Sequence, residues 1–397
     1  MYQSNAHVIL VQSFLTLALV WLLNRYLSDL IKKDLDSKIV LLAGPRQVGK
    51  TWLSKSIYPP PRSVYLNFDR STDRTVIKNE AWDRSADLVI LDEIHKMRGW
   101  KAWIKGIYDT EGVRPRLLLT GSARLDMTRR GDKESLAGRH HLLRLHPLSV
   151  KELTAGMSAE ESLARLLKRG GFPEPFFARD DVDADRWRLS HVDSMLREDL
   201  REVSVIQDVK SVEYLVDRLA AQVGSPVSYQ SLAEDVGVSA PTIKRWIQTL
   251  EAIYVIFIVY PWTRKVKGSI LKQPKIYFFD TARIPEGQVA ARFENLVACS
   301  LLKHQQFRQD SLGIKGALHY LRDKRGAEVD FLVVERSSAR WMVECKLSPD
   351  GHPNFAAFAA VNPTERPVLL VQKPIRNLSY ETWDLKNAAP WLAGLDA

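Results

Sequence analysis

Residues 44–51 read GPRQVGKT, set between the apolar run IVLLA at 39–43 and the helix-like stretch TWLSKSI. This segment restricts the fold more than any other. The spelling G-x-x-x-x-G-K-T makes a strand turn tightly into a helix, with glycines that let main-chain N–H groups line the turn. A strand feeding a helix in this way belongs to a parallel sheet, because parallel neighbours are joined by helical crossovers. The surrounding sequence keeps that rhythm. KIVLLAG, SVYLNFD, LVILDE, RLLLTGS and HHLLRLH are short apolar runs separated by helical stretches over residues 38–150.

The chemistry of the loop follows from its shape. N–H groups at the positive end of a helix attract anions, so Gly44, Pro45, Arg46, Gln47, Val48, Gly49, Lys50, Thr51 and Trp52 are expected to hold a nucleotide's phosphates. Lys50 would reach the β and γ phosphates, and the Thr51 hydroxyl would ligate Mg²⁺. LVILDE supplies the complement: Asp92 is expected to hold Mg²⁺ with Thr51, and Glu93 to orient or activate the attacking water. Thr120 and Ser122 end a neighbouring strand, where a polar group can sense the γ-phosphate. His140 and His141 lack ligand spacing and are expected to flank a strand. The expected cofactors are ATP and Mg²⁺.

At 397 residues the chain has room for about two to three domains. Its 45% hydrophobic and 26% charged content exclude a disordered or fibrous protein. Two cysteines, Cys299 and Cys345, exclude a disulfide framework and point to a reducing, cytoplasmic compartment. The balance of 57 Lys and Arg against 47 Asp and Glu, a net +10, permits a polyanionic partner without requiring one. Residues 7–23, HVILVQSFLTLALVWLL, fall short of the ~20 apolar residues of a spanning helix. Two readings stay open for them. One is a membrane anchor, with Arg25, Lys32 and Lys33 keeping the following domain in the cytoplasm. The other, which is preferred, is a packed helix or a start codon placed too far upstream.

The expected organisation is an apolar segment at 1–24, a P-loop domain at 25–150, a helical lid or connector at 151–224, a winged helix-turn-helix at 225–285 and an α/β domain at 286–397. The connector carries the amphipathic stretches EESLARLLKR and VEYLVDRLAAQV around the turn GGFPEP. In 226–261, a helix from about Tyr229, a turn at Gly237 and a second helix near Pro241 precede strand-like residues, as in a winged module. Ser239, Thr242, Lys244 and Arg245 would then face a DNA groove. The following segment 261–275 holds Arg264, Lys265, Lys267, Lys272 and Lys275 with no acid, and such a wing can hold phosphates. A solvated loop on a module that only packs between domains is the competing reading.

The last domain carries Asp330, then Glu344 and Lys346 on the following strand, with Glu294 on a preceding amphipathic helix. Carboxylates brought to one point bind a divalent ion. That ion polarises a phosphodiester and acidifies its water, which Lys346 would position. Three readings are open here: metal-dependent nuclease chemistry with Glu344 and Lys346 as catalytic residues, a module that binds without cutting, and simple Glu/Lys pairing.

The ordered series GPRQVGKT, LDEIHK, LTGSA, LAGRHHLLRLHPLSVKEL, GGFPEPF, KIYFFDTA, FENLV and VECKLS, spanning residues 25 to 385, resembles prokaryotic AAA-type ATP-binding proteins that carry the C-terminal domain of unknown function 4143. The resemblance implies a P-loop parallel sheet with a helical lid and a C-terminal restriction-endonuclease-like fold. It also implies that Arg139 serves a neighbouring subunit's nucleotide, hence self-association, and that Gly171 and Pro173 lie in a lid turn near nucleotide. The set Glu294, Asp330, Glu344 and Lys346 resembles the PD-(D/E)xK nuclease pattern, with Val329 where that pattern has proline. The function so implied is Mg²⁺-dependent ATP hydrolysis coupled to a DNA-binding, nuclease-like domain; the alternative is a non-cutting regulatory or assembly ATPase that recognises protein partners.

Overall fold

A computed structural model describes residues 24–121, 136–195, 208–263, 273–373 and 375–397. The apolar segment 7–23 and most of the basic segment 261–275 lie outside them. Among the described residues no helix is long and apolar enough to cross a membrane. The described chain divides into two compact units, residues 24–146 with 252–254 and residues 147–251 with 255–397.

In the first unit, strands β1 (Ile39–Ala43), β2 (Ser63–Asn67), β3 (Leu88–Asp92), β4 (Arg116–Thr120) and β5 (His140–Arg144) form one parallel sheet in the order β2-β3-β4-β1-β5. The five apolar runs of the sequence are these five strands. Helices α1 (Ser28–Asp34), α2 (Lys50–Ile57), α3 (Ser71–Lys78) and α4 (Trp100–Glu111) accompany them. Every residue of β1, β3 and β4 is buried. That explains why these strands read as continuous apolar runs rather than alternating ones: both faces of the sheet are covered. One face packs Ile39, Leu41, Val89, Leu91, Leu117 and Leu119 against Ile77, Trp100 and Ile104. At about 1.5–3 kcal/mol for each fully buried aliphatic side chain, these central strands anchor the loops at their ends.

The second unit begins with α5 (Val150–Leu153), α6 (Ala159–Arg169), α7 (Pro173–Phe176) and α8 (Asp181–Ser194). Ser149 and Ser158 start α5 and α6 with capping boxes closed by Glu152 and Glu161. The turn expected at GGFPEP falls here, with Gly170 at φ 75° ending α6 and Pro173 opening α7. Then follow α9 (Val209–Ala221), α10 (Tyr229–Val236) and α11 (Ala240–Ala252). The turn between the last two is the expected one. Gly237 caps α10 in the left-handed region at φ 78°, and the Ser239 hydroxyl accepts a bond from the Thr242 N–H at 3.3 Å.

Strands β6 (Ile256–Pro261) and β7 (Lys275–Phe278) pair antiparallel, but they do not stand apart as a wing. They are one end of an eight-stranded mixed sheet with β8 (Gly316–Arg322), β9 (Glu328–Glu335), β10 (Ser338–Lys346), β11 (Val368–Val371), β12 (Leu378–Ser379) and β13 (Asp384–Asn387), in the order β12-β13-β11-β10-β9-β8-β6-β7. The join is made where Tyr260 and Pro261 pair with His319 and Tyr320. The long helix α12 (Val289–Leu312) seals the β7 edge: the buried Asn295 amide donates to the Phe278 carbonyl at 2.9 Å and accepts from the Phe278 N–H at 2.8 Å. A short helix α13 (Ala388–Ala393) ends the chain's regular structure.

Candidate nucleotide site and the acidic cluster of the C-terminal sheet

The loop 44–49 leaves the end of β1 with Gly44 at φ 149°, Gln47 at φ 59° and Gly49 at φ 98°. Glycine is required at position 44, since a Cβ there would lie 2.3 Å from the Leu145 carbonyl oxygen. Gly49 then delivers the chain into α2 at Lys50. The Lys50 ammonium is buried and donates to the Gly44 and Pro45 carbonyls at 3.0 and 2.7 Å, so it is held at the mouth of the loop. Val48 is buried and Trp52 half-buried.

Register brings the acids to this loop. Asp92 of β3 pairs with Thr120 of β4, which in turn pairs with Leu42 of β1, so all three strand ends open on the same edge of the sheet. The β3 and β1 backbones are two strand spacings apart, roughly 10 Å, and side chains close the gap. The Thr51 hydroxyl donates to Asp92 Oδ2 at 2.9 Å, and the Tyr65 hydroxyl donates to the same oxygen at 2.6 Å. The Thr120 hydroxyl donates to Asp92 Oδ1. Among these, the Thr51 hydroxyl and the Asp92 carboxylate are hard oxygens of the kind that suit Mg²⁺. Beside them Glu93 sits in the left-handed region at φ 57°, ψ 26°, a conformation that costs a non-glycine residue of order 1–3 kcal/mol and is concentrated at functional sites. Burial raises its carboxyl above the usual glutamate range, against the pull of the Lys96 ammonium 3.6 Å away; the buried His95 ring lies at the same distance. Burial and the bond to Asp92 likewise push the Tyr65 phenol up.

Two residues next to the loop carried no sequence signal for this place. The Arg25 guanidinium is buried and donates to the Val48 carbonyl at 2.9 Å and to the His146 carbonyl. Tyr26 donates to the Arg144 carbonyl and accepts from the His146 N–H at 3.1 Å. Arg25 therefore braces the loop from beneath. Arg25 follows the apolar segment 7–23, and its side chain is used within the described residues on the Val48 and His146 carbonyls. Lys32 and Lys33 remain exposed.

The hairpin of β9 and β10 has the expected pairing, with Phe331 opposite Val343, and it carries Asp330 and Glu344 as neighbours across the strands. What surrounds them differs from the expected metal centre. Asp330 Oδ1, Glu294 Oε1 and Glu328 Oε1 stand 3.8, 3.3 and 2.6 Å from one ammonium, that of Lys275. Lys275 is fully buried at the start of β7, so its expected place in a phosphate-holding wing is also corrected. The Tyr277 hydroxyl donates to Glu294 Oε1 at 2.7 Å, and the Cys345 N–H donates to Asp330 Oδ2 at 2.8 Å. Glu344 turns elsewhere: it accepts from the Asn354 N–H at 2.9 Å and lies 3.6 Å from Lys346, which also donates to the His352 carbonyl at 3.2 Å. Burial, then the Glu294 charge, raises the Asp330 carboxyl well above the usual range. Burial works against the Lys275 charge, but Glu294, Asp330 and Glu328 outweigh it and raise that amine's pKa. Among the described residues no three of His, Cys, Asp and Glu group to hold a metal ion.

Comparison with known proteins matches three stretches of the chain to family models. Residues 36–154 match the family model described as AAA domain, residues 290–381 that of a domain of unknown function (DUF4143), and residues 160–284 that of another (DUF8612). The chain carries an AAA domain and a DUF4143 domain. It is similar to an uncharacterized protein of Mycobacterium tuberculosis, 28% identical over 315 residues, covering 78% of this chain and 70% of that one. An uncharacterized protein of Methanocaldococcus jannaschii is 24% identical over 64% of each chain. Among solved structures, the Thermotoga maritima RuvB Holliday junction branch migration motor is 19% identical over 55% of this chain and 81% of that one, with a TM-score of 0.28. The Aeropyrum pernix ORC1 protein in complex with DNA is 14% identical over 66% and 88%, with a TM-score of 0.32.

Within the AAA domain, Lys50, Thr51, Asp92, Glu93 and Thr120 come together, while Ser122 lies outside the described residues. Arg139 does not join them. It precedes β5, and its carbonyl accepts from the Ile39 N–H at the start of β1, the end opposite the loop. Its guanidinium grips Asp109 of α4 at 2.6 and 3.1 Å. His140 and His141, expected to flank a strand, are the first two residues of β5, against the Leu136 carbonyl at 2.9 Å and Asp34 at 3.5 Å. The residues that sequence reasoning missed are Tyr65, Arg25, Glu328, Tyr277 and the burial of Lys275. A signal existed for Glu328, because it stands two positions from Asp330 on the same strand and so shares its face.

Proposed function

We propose that this chain hydrolyses ATP in a Mg²⁺-dependent reaction at the loop 44–52. The observation that carries the reading is the Asp92 carboxylate bound by both the Thr51 and Thr120 hydroxyls, which ties the phosphate loop to the acidic strand end. Loop N–H groups and the start of α2 take the β and γ phosphates, and Lys50 exchanges its carbonyl partners for phosphate oxygens. Thr51 and Asp92 hold Mg²⁺, which when bound supplies positive charge against the triphosphate. Glu93 orients a water and takes its proton as that oxygen bonds to the γ-phosphorus; the bond to the β–γ bridging oxygen breaks, and ADP and phosphate leave. Lys50→Ala is expected to abolish ATP binding by calorimetry and phosphate release with it. Wild type that fails to bind Mg-ATP, or Lys50→Ala that binds it equally, removes the proposal.

Arg139 lies at the end of the sheet opposite its own chain's loop, which supports a role in a neighbouring copy's site once its grip on Asp109 opens. A DNA partner is the second reading. It is favoured by the face of α11, where Ser239, Lys244 and Arg245 are exposed while Ile243, Trp246, Ile247 and Leu250 are buried beneath. For the DUF4143 part we favour recognition without cutting, for the reason developed next.

A further inference from the structure

Lys275 opens β7 with a fully buried side chain and reaches the position where Glu294, Glu328 and Asp330 converge. Three features keep it there. The β7 edge is clipped to α12 through Asn295, the ammonium stands 5.3 Å over the Tyr320 ring, and Tyr277 fixes the Glu294 carboxylate. Gly224 adds a fourth: a Cβ at that position would lie 2.9 Å from both Glu294 oxygens, so the chain itself closes on this carboxylate. Magnesium demands near-octahedral oxygens at about 2.0–2.1 Å and keeps several of its waters. An ammonium 2.6 Å from Glu328, 3.3 Å from Glu294 and 3.8 Å from Asp330 fills the same charge requirement with no ion from solution.

We propose that Lys275 is a resident cation that replaces a divalent metal in this cluster. The DUF4143 domain then takes no Mg²⁺ or Mn²⁺ at Glu294 and Asp330, and metal-activated cleavage of phosphodiesters is not its chemistry. As placed, Glu294, Glu328 and Asp330 do not group to hold a metal ion; with the ammonium removed and the carboxylates kept, they would close in on a divalent ion to satisfy their charge. This inference is independent of ATP hydrolysis at the other end of the chain.

The test is Mn²⁺ titration of the nucleotide-free full chain, followed by electron paramagnetic resonance, for wild type, Glu294→Gln, Lys275→Ala and Lys275→Ala with Glu294→Gln. Wild type and Glu294→Gln should bind Mn²⁺ alike, Lys275→Ala should gain one site at least tenfold tighter than any in wild type, and the double variant should lose it. A folded Lys275→Ala without that gain overturns the proposal. If Lys275→Ala does not fold, wild type against Glu294→Gln decides alone: Mn²⁺ bound in a Glu294-dependent way overturns the proposal, and equal binding supports it. Mg²⁺-dependent nicking of plasmid DNA by wild type that Glu344→Ala abolishes would also overturn it.

Discussion

On the proposed hydrolysis, replacing Glu93 by glutamine should separate binding from turnover at the loop, because it removes the proposed proton acceptor and keeps the shape. Glu93 belongs neither to the main-chain cradle nor to the Thr51–Asp92 pair, and its side chain faces Lys96 and His95 instead. Glutamine can hold the same left-handed backbone, so α2 and the loop have no reason to move. General-base catalysis contributes about 10²- to 10⁴-fold, which at about 1.4 kcal/mol per tenfold is roughly 3–5 kcal/mol of barrier. ATP affinity measured by calorimetry should therefore change little while steady-state phosphate release falls by about 10²- to 10⁴-fold. The pH profile offers a second readout. Burial raises the Glu93 carboxyl, and the acceptor must be ionised, so wild-type turnover should fall with decreasing pH at a higher pH than an ordinary glutamate would give. That limb should vanish in Glu93→Gln. A glutamine variant that turns over at close to the wild-type rate with the same acidic limb would refute the assignment of Glu93 as the base.

Two further outcomes test the second unit. Lys303 of α12 is buried, with its ammonium on the Pro147 carbonyl at 3.1 Å, the Ser149 hydroxyl at 3.0 Å and Glu152. Lys303→Met strands the buried Glu152 charge, so it should cost about 3–5 kcal/mol in denaturant unfolding, with much of that recovered on adding Glu152→Leu; a loss too small to measure would contradict the pairing. Reversing Lys244 and Arg245 of α11 to glutamate should weaken DNA binding and lower its log–log salt slope by about two, and unchanged affinity and slope would remove the DNA reading.

The parallel sheet and the nucleotide loop were legible because their signals are local. GPRQVGKT specifies a turn through its own glycines, and IVLLA, LVILD and RLLLT announce strands buried on both faces. Asp92 and Glu93 could be placed at the end of β3 because a strand end is defined by where the apolar run stops. The helix pair around Gly237 was legible for the same reason, through a glycine that ends one helix and a serine that starts the next.

Lys275 was misread because charge was judged along a segment. It follows four other cations in 261–275, yet it is the first residue of a strand, and only the pairing of β6 with β8 draws that strand into the C-terminal sheet. Period-two alternation tells which residues share a face of one strand; it does not tell which strand or helix lies across from that face. Glu294, Glu328, Asp330 and Lys275 come from α12, β9 and β7, so their meeting is a property of packing alone. Arg25 follows the same rule, since nothing near it in the chain foretells the Val48 carbonyl that it holds. The sequence by itself determined a phosphate-binding turn beside an acidic strand end, because chain neighbours build both. The tertiary structure decided what the carboxylates of the second sheet face, because the cation that neutralises them arrives from an element no local pattern could align with them.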